Sequence, residues 1–461
     1  MKTILLTLCL LATYVLPAQS PNADSLYSPV HLREDLAYLQ QQLRDVHANP
    51  YSEYSASEYD QLFATINRQL NKSITTAEFL RLVKPVIAHL GDEHAHIGFK
   101  QDQLPRQLQS ASLYLPFTLG KVGDDYVIDQ AFGNTGLQQG DIVRSIDNVS
   151  PGAWIRQAAE LVSGTPAQRP VKAARQFGYY FGWIDQSTRT DHTVSTQRIN
   201  LRVKSIDLTT WNGYTANQAA STHCPQRISY RQVGQTGVID ACSFDVKPSG
   251  QFTLERIQQQ IDSIFRIIRD NSIKSLVIDV SHNEGGNSAV GDYLIAHITN
   301  KPYKGYQNTW KRSKEYQQLY ESWGIKNEFY ANTAIGKTII SAPRQVTPQE
   351  VLYPFTGKVV VVIGEHTFSS AILFATIIKD NQLAPLIGQT PVEGHPNHFG
   401  EMYNTKLPHT KLELRFGVKE WIRPAGKQSD KDNVLVPDIQ LSSVDMQDMK
   451  EVIYRARLSD R

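Results

Sequence analysis

The chain reads as an α/β protein with a helical N-terminal part and a β-rich middle module. Three observations predict this. After residue 234, continuous apolar runs (SLVIDV, GKVVVVIG, APLIG) alternate with amphipathic helical stretches, the pattern of a sheet covered on its faces. Before residue 91, apolar residues recur every three to four positions. Between 112 and 205 they alternate in short runs broken by turn residues.

Each element follows from its local pattern. Leu36, Leu39, Leu43 and Val46 define one helix, and Phe79, Leu82, Val83, Val86, Ile87 and Leu90 a second. Thr75-Thr76-Ala77-Glu78 supplies that second helix with a start and an acid in its first turn. YLPFTLGKVGDDYVIDQAF (114–132) folds into a hairpin around Gly-Asp-Asp. GLQQGDIVRSIDNVSP (136–151) gives a turn, a strand and a turn; after an insert of about forty residues, RINLRVK (198–204) gives another strand. GVIDACSF (237–244) is a strand, 252–269 a helix with Leu254, Ile257, Ile261, Ile264 and Ile268 in one stripe, and SLVIDV a buried strand. Helices over 288–298 and 369–380 flank GKVVVVIG, and APLIG closes the series. Residues 301–350 show no clear period and read as a long crossing loop.

Composition bounds the role. At 461 residues the chain holds two or three domains, and 47 Lys+Arg against 45 Asp+Glu leave no basic field for a phosphate backbone, so nucleic acid is not an expected partner. Three Cys cannot form a disulfide scaffold or a Cys-rich zinc module, although Cys224 and Cys242 could pair. The opening MKTILLTLCLLATYVLPAQS has the Lys2 start, the apolar run at 4–16 and the Leu-Pro-Ala of an export signal, shorter than a membrane span. No later run is apolar enough to span a membrane. The expectation is an exported protein, periplasmic or secreted, cut near residue 18.

Three stretches carry candidate chemistry. Gly91-Asp92-Glu93-His94-Ala95-His96 places imidazoles after a helix, where one could serve as a general base. His94 and His96, alternating on a strand, could instead join His395 and His398 around zinc, but no His-Glu-x-x-His or Cys pair supports that. Asn283-Glu284-Gly285-Gly286 follows a buried strand and precedes a helix, so its amides could face a developing oxyanion. Thr367-Phe368-Ser369-Ser370 opens an apolar helix, where a serine is a nucleophile or an ordinary cap. Each has a plainer reading alone: a packed histidine, a tight turn, a helix cap. Their joint occurrence in this order is what points to a site.

With GDEHAHIGF, GLQQGDIVRSIDNVSP, SLVIDVSHNEGGNSAVGDYL, GKVVVVIGEHTFSSAILFATIIKDN, LIGQTPVEGHPNHFG and VPDI together, the chain resembles the S41 serine peptidases, the family of the C-terminal processing peptidases and the tricorn core protease. The resemblance implies an α/β fold with a crotonase/ClpP-like ββα core, a PDZ-like β module and an N-terminal helical region. It divides the chain into a signal peptide (1–18), the helical region (25–105), the PDZ-like module with insert (106–230), the catalytic domain (231–445) and a tail (446–461). It implies His94 as base, Gly285 and Gly286 as oxyanion donors, and Ser369 as nucleophile, chosen by its place five residues before Phe374. Ser370 is the second choice and a further oxyanion donor; the processing-peptidase register falls on unreactive Ala371. The lysine of the Ser–Lys members has no counterpart from 380 to 405. The acid that orients the base falls on Glu420, with Glu401 as alternative, and Glu284 replaces a family glycine. The implied activity is peptide-bond hydrolysis of a peptide or protein substrate, with no metal or cofactor. The alternative is a weak or inactive S41-like scaffold that binds peptide or lipid.

Overall fold

The computed structural model describes residues 25–100, 104, 106–187, 189–219, 226–392, 394–426 and 433–458. The expected leader at 1–18 and Cys224 lie outside the described residues; Cys242 is in a disulfide.

The C-terminal half is built on a six-stranded sheet, in the order Ile439–Gln440, Leu386–Gly388, Lys358–Ile363, Ser275–Asp279, Thr236–Asp240, Ser229–Val233. All neighbours are parallel except the terminal hairpin pair. Parallel strands need crossovers, and helices Leu254–Asp270, Ser288–Ile298 and Ser370–Asp380 follow three of these strands in the chain. Period-two alternation splits the sheet between two cores. Leu276, Ile278 and Val280 pack with the helices, while Val277, Val238, Val362 and Ile387 face the opposite side. Helix Leu254–Asp270, capped by Thr253, buries Ile257, Ile261, Ile264, Phe265 and Ile268. Full burial of each such side chain stabilises by about 1.5–3 kcal/mol, so a charge at Ile261 would unseat the helix.

Two segments are more ordered than their sequence suggests. The expected loop at 301–350 contains strands Gln307–Lys311 and Thr338–Ile340 and helices Lys314–Ser322 and Glu328–Asn332. Its period is masked because each element is short and amphipathic against a neighbour far along the chain. The expected tail at 446–461 contains helix Met449–Leu458, whose Val452 and Ile453 cover the second face of the large sheet.

A second sheet joins Thr338–Ile340, Gln307–Lys311, Glu413–Ile422 and His398–Lys406, and strand His96–Gly98 pairs with Glu413–Ile422. The N-terminal helices Pro29–Asp45, Ala56–Gln69 and Thr76–Ala88 pack on this sheet. Leu36, Phe79 and Val83 share one core with Leu414, Phe416 and Val418. Thr75 caps the third helix through a capping box with Glu78. The helical region is therefore a layer of the C-terminal half rather than a body with its own core.

The middle module contains the hairpin Phe117–Val122 and Asp125–Ala131 and the three strands Val143–Ile146, Asp191–Thr196 and Asn200–Lys204. Its insert is helical, with Pro151–Ala159, Gln168–Arg175 and Phe177–Ile184 filling the core through Trp154, Ile155, Phe177 and Phe181. The module is thus a mixed α/β unit, less β-rich than its strand signals imply.

Candidate active site

The site lies beyond the C-terminal ends of strands Ser275–Asp279 and Lys358–Ile363, where parallel sheets leave loops free to carry function. The turn from 364 to 369 is laced to the neighbouring strand end. Thr367, fully buried, donates from Oγ1 to the Val280 carbonyl (2.9 Å) and accepts the Gly364 N–H (2.9 Å). The Phe368 N–H donates to the Asn283 carbonyl at 3.0 Å.

Ser369 then adopts φ 50° and ψ −123° at the entrance of helix Ser370–Asp380. Such a backbone in a non-glycine residue costs of order 1–3 kcal/mol, and the surrounding turn holds it there. Its side chain makes no cap hydrogen bond. Instead its Oγ lies 3.2 Å from His94 Nε2. The plain capping reading of this serine therefore fails. Ser370, the second choice, donates its hydroxyl to the Gly286 carbonyl at 2.7 Å and is buried, so that oxygen is already committed.

His94 stands in the turn before strand His96–Gly98, which pairs Ile97 with Leu414 and so fixes the turn against the second sheet. Its ring stacks on Phe368 (centroids 4.6 Å, 28°), with His398 at 6.1 Å. The Asp92 carboxylate is fully buried beneath it. Oδ1 accepts the His94 backbone N–H (2.8 Å) and lies 3.8 Å from the ring Nδ1; Oδ2 accepts the Gly417 N–H (2.7 Å). Burial would raise Asp92, but the facing His47 imidazole, the His94 charge and the Gly417 N–H outweigh it and bring its pKa down to about 2. Glu93, also buried, meets His395 Nδ1 at 3.1 Å. Burial drives His398 down to about 4, keeping it neutral.

Nδ1 of His94 is buried and makes no hydrogen bond among the described residues. Glu420 therefore does not make the orienting contact assigned to it. It lies on strand Glu413–Ile422, in register with Phe399 and Thr309, and the carboxylate oxygen that faces Nδ1 is that of Asp92. Glu401 is bonded to Lys419 Nζ (2.5 Å) and Tyr316, which removes the alternative as well. Asp92 stands two residues before His94, so the acid lies in the same short stretch as the imidazole it faces.

The glycine pair divides. Gly285 donates its N–H to Asn283 Oδ1 at 2.8 Å, and Asn283, fully buried, is itself anchored on the Ala241 carbonyl at 2.7 Å. That amide is unavailable to an oxyanion, which corrects the expectation for Gly285. Its role is steric: at φ +99° it has no Cβ because one would lie 2.7 Å from Ser369 Cβ and 2.8 Å from Ser370 N. The N–H groups of Gly286 and Ser370 make no hydrogen bond among the described residues. Glu284 is exposed rather than turned into the site.

The alternative of a zinc site built from His94 and His96 on one strand lacks its geometry. His94 is in a turn, not on a strand with His96, and His96 is exposed. Asp92, Glu93 and His94 do gather their potential ligand atoms within 4.8 Å of one another. However, Asp92 already accepts two backbone N–H groups and Glu93 is engaged by His395, which makes the group an orienting network for an imidazole.

Two cavities flank these loops. A cleft of about 1730 Å³ separates the middle module from the strand ends and is lined by Lys121, Tyr126, Trp211, His282, Glu284 and His366. Arg175 and Glu365 bridge it at 2.5 Å. A smaller groove of about 550 Å³ runs along Ser370, Leu373, Phe374 and Ile377 of the helix that Ser369 opens.

The profile of peptidase family S41 matches residues 235–441, a stretch that includes the glycine pair and Ser369. The chain carries an S41 peptidase domain. No curated protein sequence matches it significantly. Among solved structures it is similar to mature CPAF, at 16% identity and TM-score 0.63, covering 93% of this chain and 96% of that one. It is likewise similar to mature CPAF complexed with lactacystin, at 16% identity and TM-score 0.62, covering 93% and 97%. The photosystem II D1 C-terminal processing protease covers 92% and 96% at 12% identity and TM-score 0.44. The CPAF likenesses extend the fold well beyond the matched domain. His94 lies outside the matched stretch, so the S41 domain receives its imidazole from the N-terminal layer.

Proposed function

We propose that this S41 domain is an exported serine peptidase in which Ser369 is the nucleophile and His94 the general base. The observation that carries the proposal is the 3.2 Å approach of His94 Nε2 to a Ser369 hydroxyl released from capping. Ser369 Oγ forms a bond to the peptide carbonyl carbon while its proton passes to Nε2. The carbonyl electron pair moves onto oxygen, and the free N–H groups of Ser370 and Gly286 supply the hydrogen bonds that stabilise it. Collapse expels the amine, which takes the proton from Nε2, and leaves an acyl-serine. Water, deprotonated by the same Nε2, then adds to the ester carbonyl; collapse releases the acid and returns the proton to Ser369. Asp92, ionised and 3.8 Å from Nδ1, favours the imidazolium that both halves require.

The substrate is a peptide or protein segment. The strand Phe117–Val122 contributes residues 118–122 to the wall of the large cleft, and in its two-stranded sheet it has one unpaired edge. An extended peptide could add to that edge by backbone pairing. The apolar leader at 4–16 is the support for export. The test is hydrolysis of a quenched fluorogenic peptide library by wild type, Ser369→Ala and Ser370→Ala. Cleavage by wild type and Ser370→Ala but not by Ser369→Ala is expected. Equal cleavage by all three would remove Ser369 from the mechanism.

A further inference from the structure

We infer that His47 is a positioning residue that holds Asp92, and through it His94, in working geometry. The inference rests on the reading of Ser369 and His94 given above, and concerns a residue far from both in sequence.

His47 follows helix Pro29–Asp45 and is wholly buried. Its ring lies against Phe399 (4.7 Å) and Phe416 (5.6 Å) of the second sheet. Its Nδ1 accepts the Asn49 N–H at 3.2 Å, so in the neutral ring the proton sits on Nε2. That Nε2 stands 3.5 Å from Asp92 Oδ2, an ion-pair distance, and makes no hydrogen bond among the described residues. A buried polar atom left this near an ionised carboxylate acts on it through charge attraction, which is strong where water is excluded.

The contact completes a ring of donors around Asp92. His94 N–H fills Oδ1, Gly417 N–H fills Oδ2, and His47 closes the remaining side of Oδ2. An anion this dry needs such company to stay charged, and only a charged Asp92 favours the imidazolium at His94. Of the other titratable groups around the imidazole, Glu93 lies within 4.8 Å of the Asp92 carboxylate but bonds His395, and His398 is a neutral ring. A histidine is therefore suited to this position where Leu, at similar volume, would leave Asp92 with an apolar wall. The consequence is that the first helix, outside the S41-matched stretch, contributes to the chemistry.

The experiment uses the full chain and four proteins: His47→Leu, His47→Gln, Asp92→Asn and the His47→Leu/Asp92→Asn double variant. Each is assayed with one fluorogenic peptide cleaved by wild type and by its rate of fluorophosphonate labelling, with folding checked by circular dichroism. His47→Leu should lower kcat at least about tenfold with KM within about twofold. His47→Gln, whose amide N–H can reach the same oxygen, should recover most of that loss. In the Asp92→Asn background the His47→Leu loss should shrink to about twofold or less, because the route through Asp92 is already cut. A His47→Leu effect confined to KM, a kcat within twofold of wild type, or full multiplication of the two losses would overturn the inference. If His47→Leu does not fold, His47→Gln decides: it should retain kcat within about threefold, and a larger loss with native circular dichroism contradicts the contact. Absence of labelling in wild type would instead sink the serine mechanism itself, and this inference with it.

Discussion

Replacing Gly285 with alanine tests the way the two catalytic loops are fitted together. A Cβ there would stand 2.7 Å from Ser369 Cβ, 2.8 Å from Ser370 N and 2.9 Å from the Phe368 carbonyl oxygen, with φ at +99°. Ordinary contact begins near 3.4 Å, so Ser369 must retreat by about 0.7 Å, and the obstructing atoms are backbone or Cβ with no rotamer to escape by. A displacement approaching 1 Å can cost of order a hundredfold in rate. Gly234→Ala is the matched control: φ is +60° and nothing lies within 4 Å of the added methyl. It bears the left-handed penalty alone, about 1–2 kcal/mol. The assay is the second-order rate of fluorophosphonate labelling, with thermal melting in parallel. Gly285→Ala should label at least about thirtyfold more slowly than wild type and melt below Gly234→Ala, which should label normally. Labelling of Gly285→Ala within threefold of wild type would refute the claimed contact between the glycine turn and the serine.

Other outcomes follow from the same geometry. Asp92→Asn keeps size but removes the charge facing Nδ1, and should reduce kcat by roughly a hundredfold, comparable to loss of an important electrostatic contact in a hydrolase; a kcat within threefold of wild type contradicts the role. Ser370→Ala removes only the hydroxyl bonded to Gly286 and should cost about 1 kcal/mol of stability while labelling persists; loss of labelling would transfer the nucleophile to Ser370. His398, at about 4 against an ordinary 6.5, stays neutral when folded while the unfolded chain takes up a proton. Stability should therefore fall as pH drops from 6.5 to 4, by about 3 kcal/mol at most, and His398→Asn should flatten that part of the denaturant-midpoint profile. An unchanged slope in the variant would contradict the assignment. Treatment with EDTA should leave hydrolysis unchanged, since Asp92 and Glu93 are engaged by N–H donors; inactivation reversed by zinc would contradict this.

The sequence carries the central sheet plainly because buried parallel strands such as Ser275–Asp279 and Lys358–Ile363 are continuous apolar runs between turn residues. It carries Ser369 and His94 because each sits in a short motif at a loop. The remaining site residues act through partners distant along the chain. Nothing local marks His47 as the neighbour of Asp92, or Asn283 as the acceptor that occupies the Gly285 N–H. The oxyanion assignment to Gly285 fails for that reason: motif position gives the backbone turn but not which amide in it is already bonded. Likewise Glu420 is one of two acids on a long strand, and its distance from Nδ1 depends on the register of Glu413–Ile422, which no local pattern reveals. The segment at 301–350 is hard to read for the same reason, since its strand Gln307–Lys311 gains its meaning by pairing with Glu413–Ile422, about a hundred residues on.

The most direct measurement is to map the residue that a fluorophosphonate modifies, by tandem mass spectrometry of the digested wild-type adduct and of His94→Ala treated alike. The mechanism predicts a single adduct on Ser369 in wild type and almost none in His94→Ala. An adduct on Ser370 or elsewhere, or modification of Ser369 at the wild-type rate without His94, would contradict it.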